Sequence, residues 1–257
     1  LKSEQEIRAA LSKIKVLKSQ LEAENEILRE EVRLTHNFRE IVGESEAIGR
    51  TIAQVEQVAD TDATTLIQGE TGTGKELIAK AVHRASGRKG AFIAVNVAGL
   101  DDNVFSDTLF GHIKGAFTGA DRDRAGMIEK AGGGTLFLDE ISNLSFEMQS
   151  KLLRVLQTGE IQRIGARRTA RTDTRIIAAT HVDLDKMIEL NRFRKDLYYR
   201  LNIIQITLPP LRQRGAEDIK ALTAHFINRY SEEIALSETS LEALASYDWP
   251  GNIRELE

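Results

Sequence analysis

Cysteine is absent from the sequence, which excludes disulfides and thiolate metal sites and makes a reducing cytoplasm a compatible location. No apolar run approaches the roughly 18 residues that a membrane-spanning helix requires. Leu1 opens a charged stretch rather than a signal peptide, so a cytoplasmic protein without a membrane partner is expected. The five histidines show no ligand spacing, and no structural metal is expected from them. Neither sign of charge dominates. With 35 basic and 39 acidic side chains the net charge is −4, so the body as a whole does not attract nucleic acid.

What is present suits a globular protein: 41% hydrophobic and 29% charged residues, in a length of 257 that holds one medium α/β domain plus small appendages. The chain opens without Met and stops at "GNIRELE", the first turns of a helix, so both ends read as cuts. Residues 1–36 lack Gly and Pro and repeat apolar residues every seven positions at Ile7, Ile14, Leu21 and Leu28. Leu11, Lys18, Asn25 and Val32 fill the alternate seam, a heptad with two polar positions of the kind that favours a two-stranded coiled coil. The same pattern also suits a single amphipathic helix lying on its own domain.

From about residue 41 the pattern changes. The runs "TTLIQG" (64–69), "FIAVN" (92–96), "TLFLD" (135–139), "RIIAAT" (175–180) and "IIQITL" (203–208) read as five buried strands, with helical stretches such as 75–87 and 145–158 between them. That βαβ rhythm implies a parallel sheet covered on both faces. After Pro209-Pro210 the strands stop and a helical tail over 216–257 reads as a small lid. The expected division is a linker at 1–36, an α/β subdomain at 37–208 and a helical lid at 209–257.

"GETGTGKE" (69–76) follows the first strand and opens a helix. Its glycines let backbone N–H groups turn around phosphate oxygens, the helix N-terminus adds positive character, and Lys75 neutralises outer phosphates. The generic Gx4GK[ST] pattern fails at its last position, where Glu76 stands in place of a hydroxyl ligand for Mg²⁺. That leaves either an inactive loop or an altered metal shell. "GGGTLFLDE" (132–140) is an apolar strand ending in two acids. Asp139 at its end can hold Mg²⁺, and Glu140 can polarise an attacking water for in-line phosphoryl transfer. The bland alternative has this acid pair merely capping the next helix. Lys75 with Asp139-Glu140 excludes a dehydrogenase-type nucleotide binder.

With "LFGHIKGAFTGA", "KLLRVLQ", "FRKDLYYRLN", "LPPLR" and "WPGNIRELE" following in order, residues 40–257 resemble the central AAA+ ATPase domain of bacterial enhancer-binding proteins. These are the NtrC-type activators of sigma-54 RNA polymerase. The resemblance implies a three-layer α/β/α sandwich on a five-stranded parallel sheet with a helical lid, using ATP and Mg²⁺. It assigns the phosphate loop to Gly69, Glu70, Thr71, Gly72, Thr73, Gly74, Lys75 and Glu76, and makes Glu76 normal for the family. Asn96 matches an asparagine that pairs with the catalytic glutamate in a nucleotide-dependent switch; a strand-end turn residue is the alternative. Thr180 and His181 match the sensor I position. Arg194 and Arg200 match arginine fingers donated to a neighbouring subunit, which implies a ring, a hexamer by family precedent; surface arginines paired to Asp196 are the alternative. Arg254 matches sensor II, and Asn252 with Glu255 has the spacing of a capping box that would start its helix.

Gly115, Ala116, Phe117, Thr118, Gly119 and Ala120 form the hexapeptide that in this family tips a loop meeting sigma-54. Phe117 supplies an apolar surface and Thr118 a hydroxyl; a surface turn with Phe117 packed back on its own domain is the alternative. Ile113 stands where an acid is usual. Arg163, Arg167, Arg168, Arg171 and Arg175 fall on a second insertion, to contact promoter DNA or polymerase or simply to solvate a loop. The N-terminal coil looks like the family's linker from a sensor domain and is expected to promote a dimer; some linkers of the family hold an inactive dimer and others merely tether. A promoter-reading domain would follow the lid. Two rivals remain: a remodeller of another partner, and an oligomerisation module with hydrolysis incidental.

Overall fold

A computed structural model describes Lys18, residues 38–230 and residues 236–257. The expected coiled coil over 1–36 lies outside the described residues, Lys18 excepted. The five apolar runs pair into one parallel sheet: β1 (Thr65–Gln68), β2 (Phe92–Asn96), β3 (Thr135–Asp139), β4 (Arg175–Thr180) and β5 (Ile204–Thr207). Their order is β2-β3-β4-β1-β5. Side chains alternate between faces along each strand. Leu66, Leu136, Leu138, Ile176 and Ala178 turn to one face and bury with helices α3 (Asp102–Phe110), α4 (Phe146–Thr158) and α6 (Lys195–Leu201). Ile67, Phe137, Ile177 and Ala179, equally buried, take the other face, against α1 (Glu46–Ala59) and α2 (Lys75–Ala85).

Position in the sheet explains one difference from the sequence reading. β3 and β4 are buried almost throughout, whereas the two edge strands β2 and β5 are half exposed. An edge strand is covered on fewer sides, and a short apolar run does not announce which place it will take.

Helix α4 illustrates the local physics. Ser145 caps it by accepting the Met148 N–H at 3.2 Å, and Gly159, with φ of 65°, closes it in the left-handed region that glycine tolerates. Met148, Gln149, Leu152, Leu153 and Val155 recur at helical spacing and are buried. Each fully buried aliphatic side chain contributes about 1.5–3 kcal/mol. This face anchors the helix beneath the sheet's carboxyl end.

Two hairpins leave the body. Gly111–His112 pairs with Arg124–Ala125 around the hexapeptide, and Glu160–Ile161 pairs with Ala170–Arg171. They touch one another: Ile164 N–H donates to Gly111 O at 2.8 Å, and Ile113 N–H to Ile164 O at 3.1 Å. Gly165 (φ +80°) is needed there, since a Cβ would stand 2.9 Å from that of Ala116.

Helix α5 (Leu184–Glu189) follows β4, and beyond β5 come α7 (Ala216–Tyr230), α8 (Glu238–Ser246) and α9 (Asn252–Leu256). This tail has its own small core of Leu211, Ile219, Leu222 and Trp249. Ile41–Glu257 forms one compact unit. Among the described residues no helix is long and apolar enough to cross a membrane.

Candidate functional site

The chain leaves β1 at Gln68 and enters a loop that only glycine-rich sequence can follow. Gly72 and Gly74 adopt φ of +80° and +97°, and α2 begins at Lys75. Lys75 is 6% exposed, and its Nζ donates to Gly69 O at 3.0 Å and Glu70 O at 3.2 Å. Burial pushes its ammonium below the usual lysine range, against the opposing pull of Asp139 and Glu140. Thr73 Oγ donates to Glu70 O at 2.8 Å, Thr71 is exposed, and Glu76 pairs along the helix with Lys80 at 2.8 Å.

Part of the tail closes directly on this loop. Glu70 accepts two hydrogen bonds from Arg212, at 2.8 and 2.6 Å, and one from Asn252 Nδ2 at 3.1 Å. These donors hold the Glu70 carboxyl down at about 2. Asn252 also donates to Thr71 O at 3.0 Å and accepts Leu211 N–H at 2.8 Å, while Arg214 reaches Thr73 O at 2.8 Å. Ile253 N–H donates to Gly72 O at 3.0 Å. Contact is so close that a Cβ on Gly72 would lie 2.2 Å from Gly251 O and 3.1 Å from Arg254 Cβ. Arg254 Cβ is thus brought beside the phosphate loop.

The capping box is not formed as its spacing suggested. Gly251 is the N-cap, its N–H donating to Glu255 at 2.8 Å, and Asn252 is fully buried at φ 55° with its amide committed to the clasp. Local spacing made Asn252 a cap; partners far away in sequence made it a bridge. Arg212 and Arg214 escaped the sequence reading, although Arg212 ends the noted "LPPLR" segment.

At the end of β3, Asp139 Oδ1 accepts the Glu140 N–H at 3.0 Å. Burial pushes the Asp139 carboxyl above its usual range, with the nearby Lys75 charge opposing. Glu140 sits at φ 60°, ψ 43°, unusual for a residue with a side chain. Its Oε2 lies 2.5 Å from Nδ1 of His181. Asn96 does not take that place: level with Asp139 in the sheet, it spends its Oδ1 on Ala98 N–H at 2.8 Å. That is the turn role its alternative reading described. Thr180 is buried, and its hydroxyl accepts Val182 N–H at 3.0 Å, while its carbonyl accepts Gly69 N–H at 3.2 Å.

Arg194 caps α6 and forks onto Asp196 at 3.0 and 2.8 Å, with Ser150 Oγ at 3.3 Å; Arg200 on the same helix is exposed. Both are placed with α4 and α6 rather than with the phosphate loop. Of the arginine group, Arg167, Arg168 and Arg171 are exposed on the second hairpin, and Arg163 pairs with Glu129 at 2.9 Å. Arg175 departs from the expectation. It opens β4, is 2% exposed, and donates to Val58 O and Ala59 O at 2.8 and 3.3 Å.

In the hexapeptide, Gly115 and Gly119 have φ of 79° and 95°, and Gly115 N–H closes the tip on Ala120 O at 2.8 Å. Phe117 is 46% exposed and rests edge-on against His112, centroids 4.9 Å apart. His112 is itself held by Asp107, which also accepts from Arg124 at 2.7 Å. Phe117 thus touches its own domain and still presents an exposed face. Thr118 is exposed and Ala120 buried.

Two family models match the chain: a sigma-54 interaction domain over residues 41–207 and an AAA+ ATPase lid domain over 212–257. The formate hydrogenlyase transcriptional activator of Salmonella typhimurium is 48% identical over 96% of this chain and 37% of its own length. The Nif-specific regulatory protein of Herbaspirillum seropedicae is 45% identical over 93% of this chain and 45% of its own length. Half or less of those relatives is therefore spanned. Among solved structures, NtrX from Brucella abortus in complex with ADP superposes with a TM-score of 0.77 at 33% identity, covering 93% of this chain and 54% of that one.

Proposed function

The chain belongs to the sigma-54 interaction domain family, with its AAA+ lid, and from that premise we propose that it hydrolyses ATP to remodel sigma-54 RNA polymerase for transcription initiation. One observation carries the reading. Among the described residues the buried Lys75 ammonium has two carbonyls as its hydrogen-bond partners and no ion pair, inside a loop built from glycines. A cation left in that state suits the phosphates of a nucleotide. Similarity to NtrX, solved with ADP and with ATP, supports the same ligand.

Among the described residues no group of three or more metal-ligating side chains occurs. Mg²⁺ needs no such group, since it takes one or two carboxylates and completes its shell with phosphates and water. Asp139 would be that carboxylate, and the ion would neutralise phosphate charge. Glu140 takes the proton of the attacking water, Lys75 holds the outer phosphates, and Arg254 approaches them from the lid. Arg194 and Arg200 act on the nucleotide of a neighbouring subunit in a ring, a hexamer by family precedent. For that, Arg194 exchanges Asp196 for phosphate oxygens, and stabilising the dispersed charge is worth about 10³–10⁵ in rate in related NTPases. Residues 115–120 carry the result to sigma-54, with Phe117 as the contact. Sensing and promoter reading belong to other domains of a cytoplasmic activator.

The test is turnover. The protein with ATP and Mg²⁺ is expected to release phosphate, and Glu140→Gln to lose on the order of 10²-fold or more while still binding nucleotide. A wild-type chain that assembles without nucleotide and hydrolyses nothing would instead be an oligomerisation module.

A further inference from the structure

We propose that the lid prepares the phosphate loop for its ligand: Asn252, Arg214 and the Ile253 N–H are positioning groups that fix the peptide planes of residues 71–74. The inference rests on the nucleotide reading above. Its first support is that three successive loop carbonyls each have a donor from beyond β5. Thr71 O accepts Asn252 Nδ2 at 3.0 Å, Gly72 O accepts Ile253 N–H at 3.0 Å, and Thr73 O accepts Arg214 Nη2 at 2.8 Å. The two carbonyls before them, Gly69 O and Glu70 O, are drawn to Lys75 Nζ.

The second support follows from peptide geometry. In a trans peptide a carbonyl and the next residue's N–H point in opposite directions. With the Thr71 and Thr73 carbonyls turned to the lid, the N–H groups of Gly72 and Gly74 turn away from it. Among the described residues neither N–H has an acceptor, whereas the Thr73 N–H closes on Glu70 O at 3.4 Å. Two donors are left pointing out of the loop, and an anion is what such donors take.

The third support is what these groups do with Glu70. A carboxylate within a phosphate loop would repel the ligand, yet Arg212 forks onto it at 2.8 and 2.6 Å, and Asn252 adds a donor at 3.1 Å. Asn252 thus serves the loop twice, through the Glu70 side chain and the Thr71 carbonyl. Its own place is fixed by a left-handed backbone, φ 55°, and by accepting Leu211 N–H at 2.8 Å.

A glycine-rich loop has more backbone freedom to lose on binding than any other. Where the lid has already removed that freedom, a ligand meets a smaller ordering cost. Nucleotide affinity therefore depends on the lid contacts, and by reciprocity a bound nucleotide tightens them.

Three measurements decide the matter. The first labels threonine carbonyls with ¹³C and glycine nitrogens with ¹⁵N, in protein without nucleotide. Correlated signals then arise only from the Thr-Gly pairs 71–72, 73–74, 118–119 and 158–159, each identified by its loss in a Thr71→Ser, Thr73→Ser, Thr118→Ser or Thr158→Ser variant. Asn252→Asp, which keeps the acceptor and loses the amide donors, is expected to shift the Thr71 carbonyl and leave those of Thr118 and Thr158 in place. Arg214→Met should likewise shift that of Thr73. An unmoved loop carbonyl in either variant would overturn the proposal. The second is ADP affinity: Asn252→Gly, which suits the left-handed backbone and adds no charge, should bind about tenfold more weakly, and an affinity within about twofold of wild type would contradict the claim. The third is hydrogen exchange of the Ile253 N–H in Arg254→Ala, where the exposed lid arginine is gone and the clasp is intact. Saturating ADP is expected to slow that exchange roughly fivefold or more, and an unchanged rate would sink the coupling. Should the wild type bind no ADP, the nucleotide reading falls, while the carbonyl signals still decide whether the lid holds the loop.

Discussion

Glu70 shows how a single phosphate-loop residue serves two subdomains. Its carboxylate is held by Arg212 and Asn252 from beyond β5, which lowers its pKa from an ordinary 4.5 to about 2. A depressed folded-state pKa gives stability that is present above the unfolded value and lost as pH falls through the folded one. The clasp should therefore weaken between about pH 4.5 and pH 2. Thermal melts across that range are expected to show Glu70→Gln less stable than wild type at neutral pH, with the gap closing in acid. Because the pair is well over a third exposed, the gap should be modest. A gap independent of pH would contradict the assignment. At this scale the sequence was informative wherever chemistry is local: Lys75 and Asp139 sit where their motifs put them. It failed at Asn252, whose spacing allowed one local role while the folded chain offered another; at Asn96 the local turn it had offered as an alternative is the contact observed. The Asn252 partner Glu70 is 182 positions away, beyond any local pattern.

Elements were more legible than their surroundings. The strands of the sheet appear within a residue or two of their apolar runs, because a buried parallel strand must be continuously apolar. Edge and centre could not be told apart, since strand order depends on crossovers that periodicity does not encode. Arg175 is the clearest case. Read with its neighbours it belonged to a charged hairpin, yet it opens the most buried strand and pins the end of α1 through two carbonyls. Arg175→Ala would open a cavity and take one donor from each carbonyl, Val58 O keeping those of Thr61, at a cost of about 2–4 kcal/mol. Urea denaturation should show that loss; a change under about 0.5 kcal/mol, typical of surface sites, would place Arg175 outside the core. The two hairpins form a further element-scale unit, because Gly165 lets Ala116 and Ile113 pack against the second loop. Ile113, an apolar residue where an acid is usual, therefore has a partner: it meets Gly165, and through Ile164 the hairpins share backbone hydrogen bonds.

On the scale of the molecule, the parts form a chain of contacts with an input and an output. The lid clasps the phosphate loop through Glu70, Gly72 and Thr73, and the loop meets β4, which meets the base. The hairpins rise from α3 and α4, on the face of the sheet that buries Leu136 and Leu138. Fold and family were legible because both rest on dense motifs in fixed order. What was hidden is what closes across distance: the clasp and the bond of His181 to Glu140. The central claim is that nucleotide state drives residues 115–120 onto sigma-54. Its most direct test is co-migration of this protein with sigma-54 on a sizing column in the presence of ADP and aluminium fluoride, which mimic the hydrolytic transition state. Wild type is expected to co-migrate only with the analogue, and Phe117→Ala to elute apart from sigma-54. Co-migration of Phe117→Ala equal to wild type, or of wild type without nucleotide, would contradict the account.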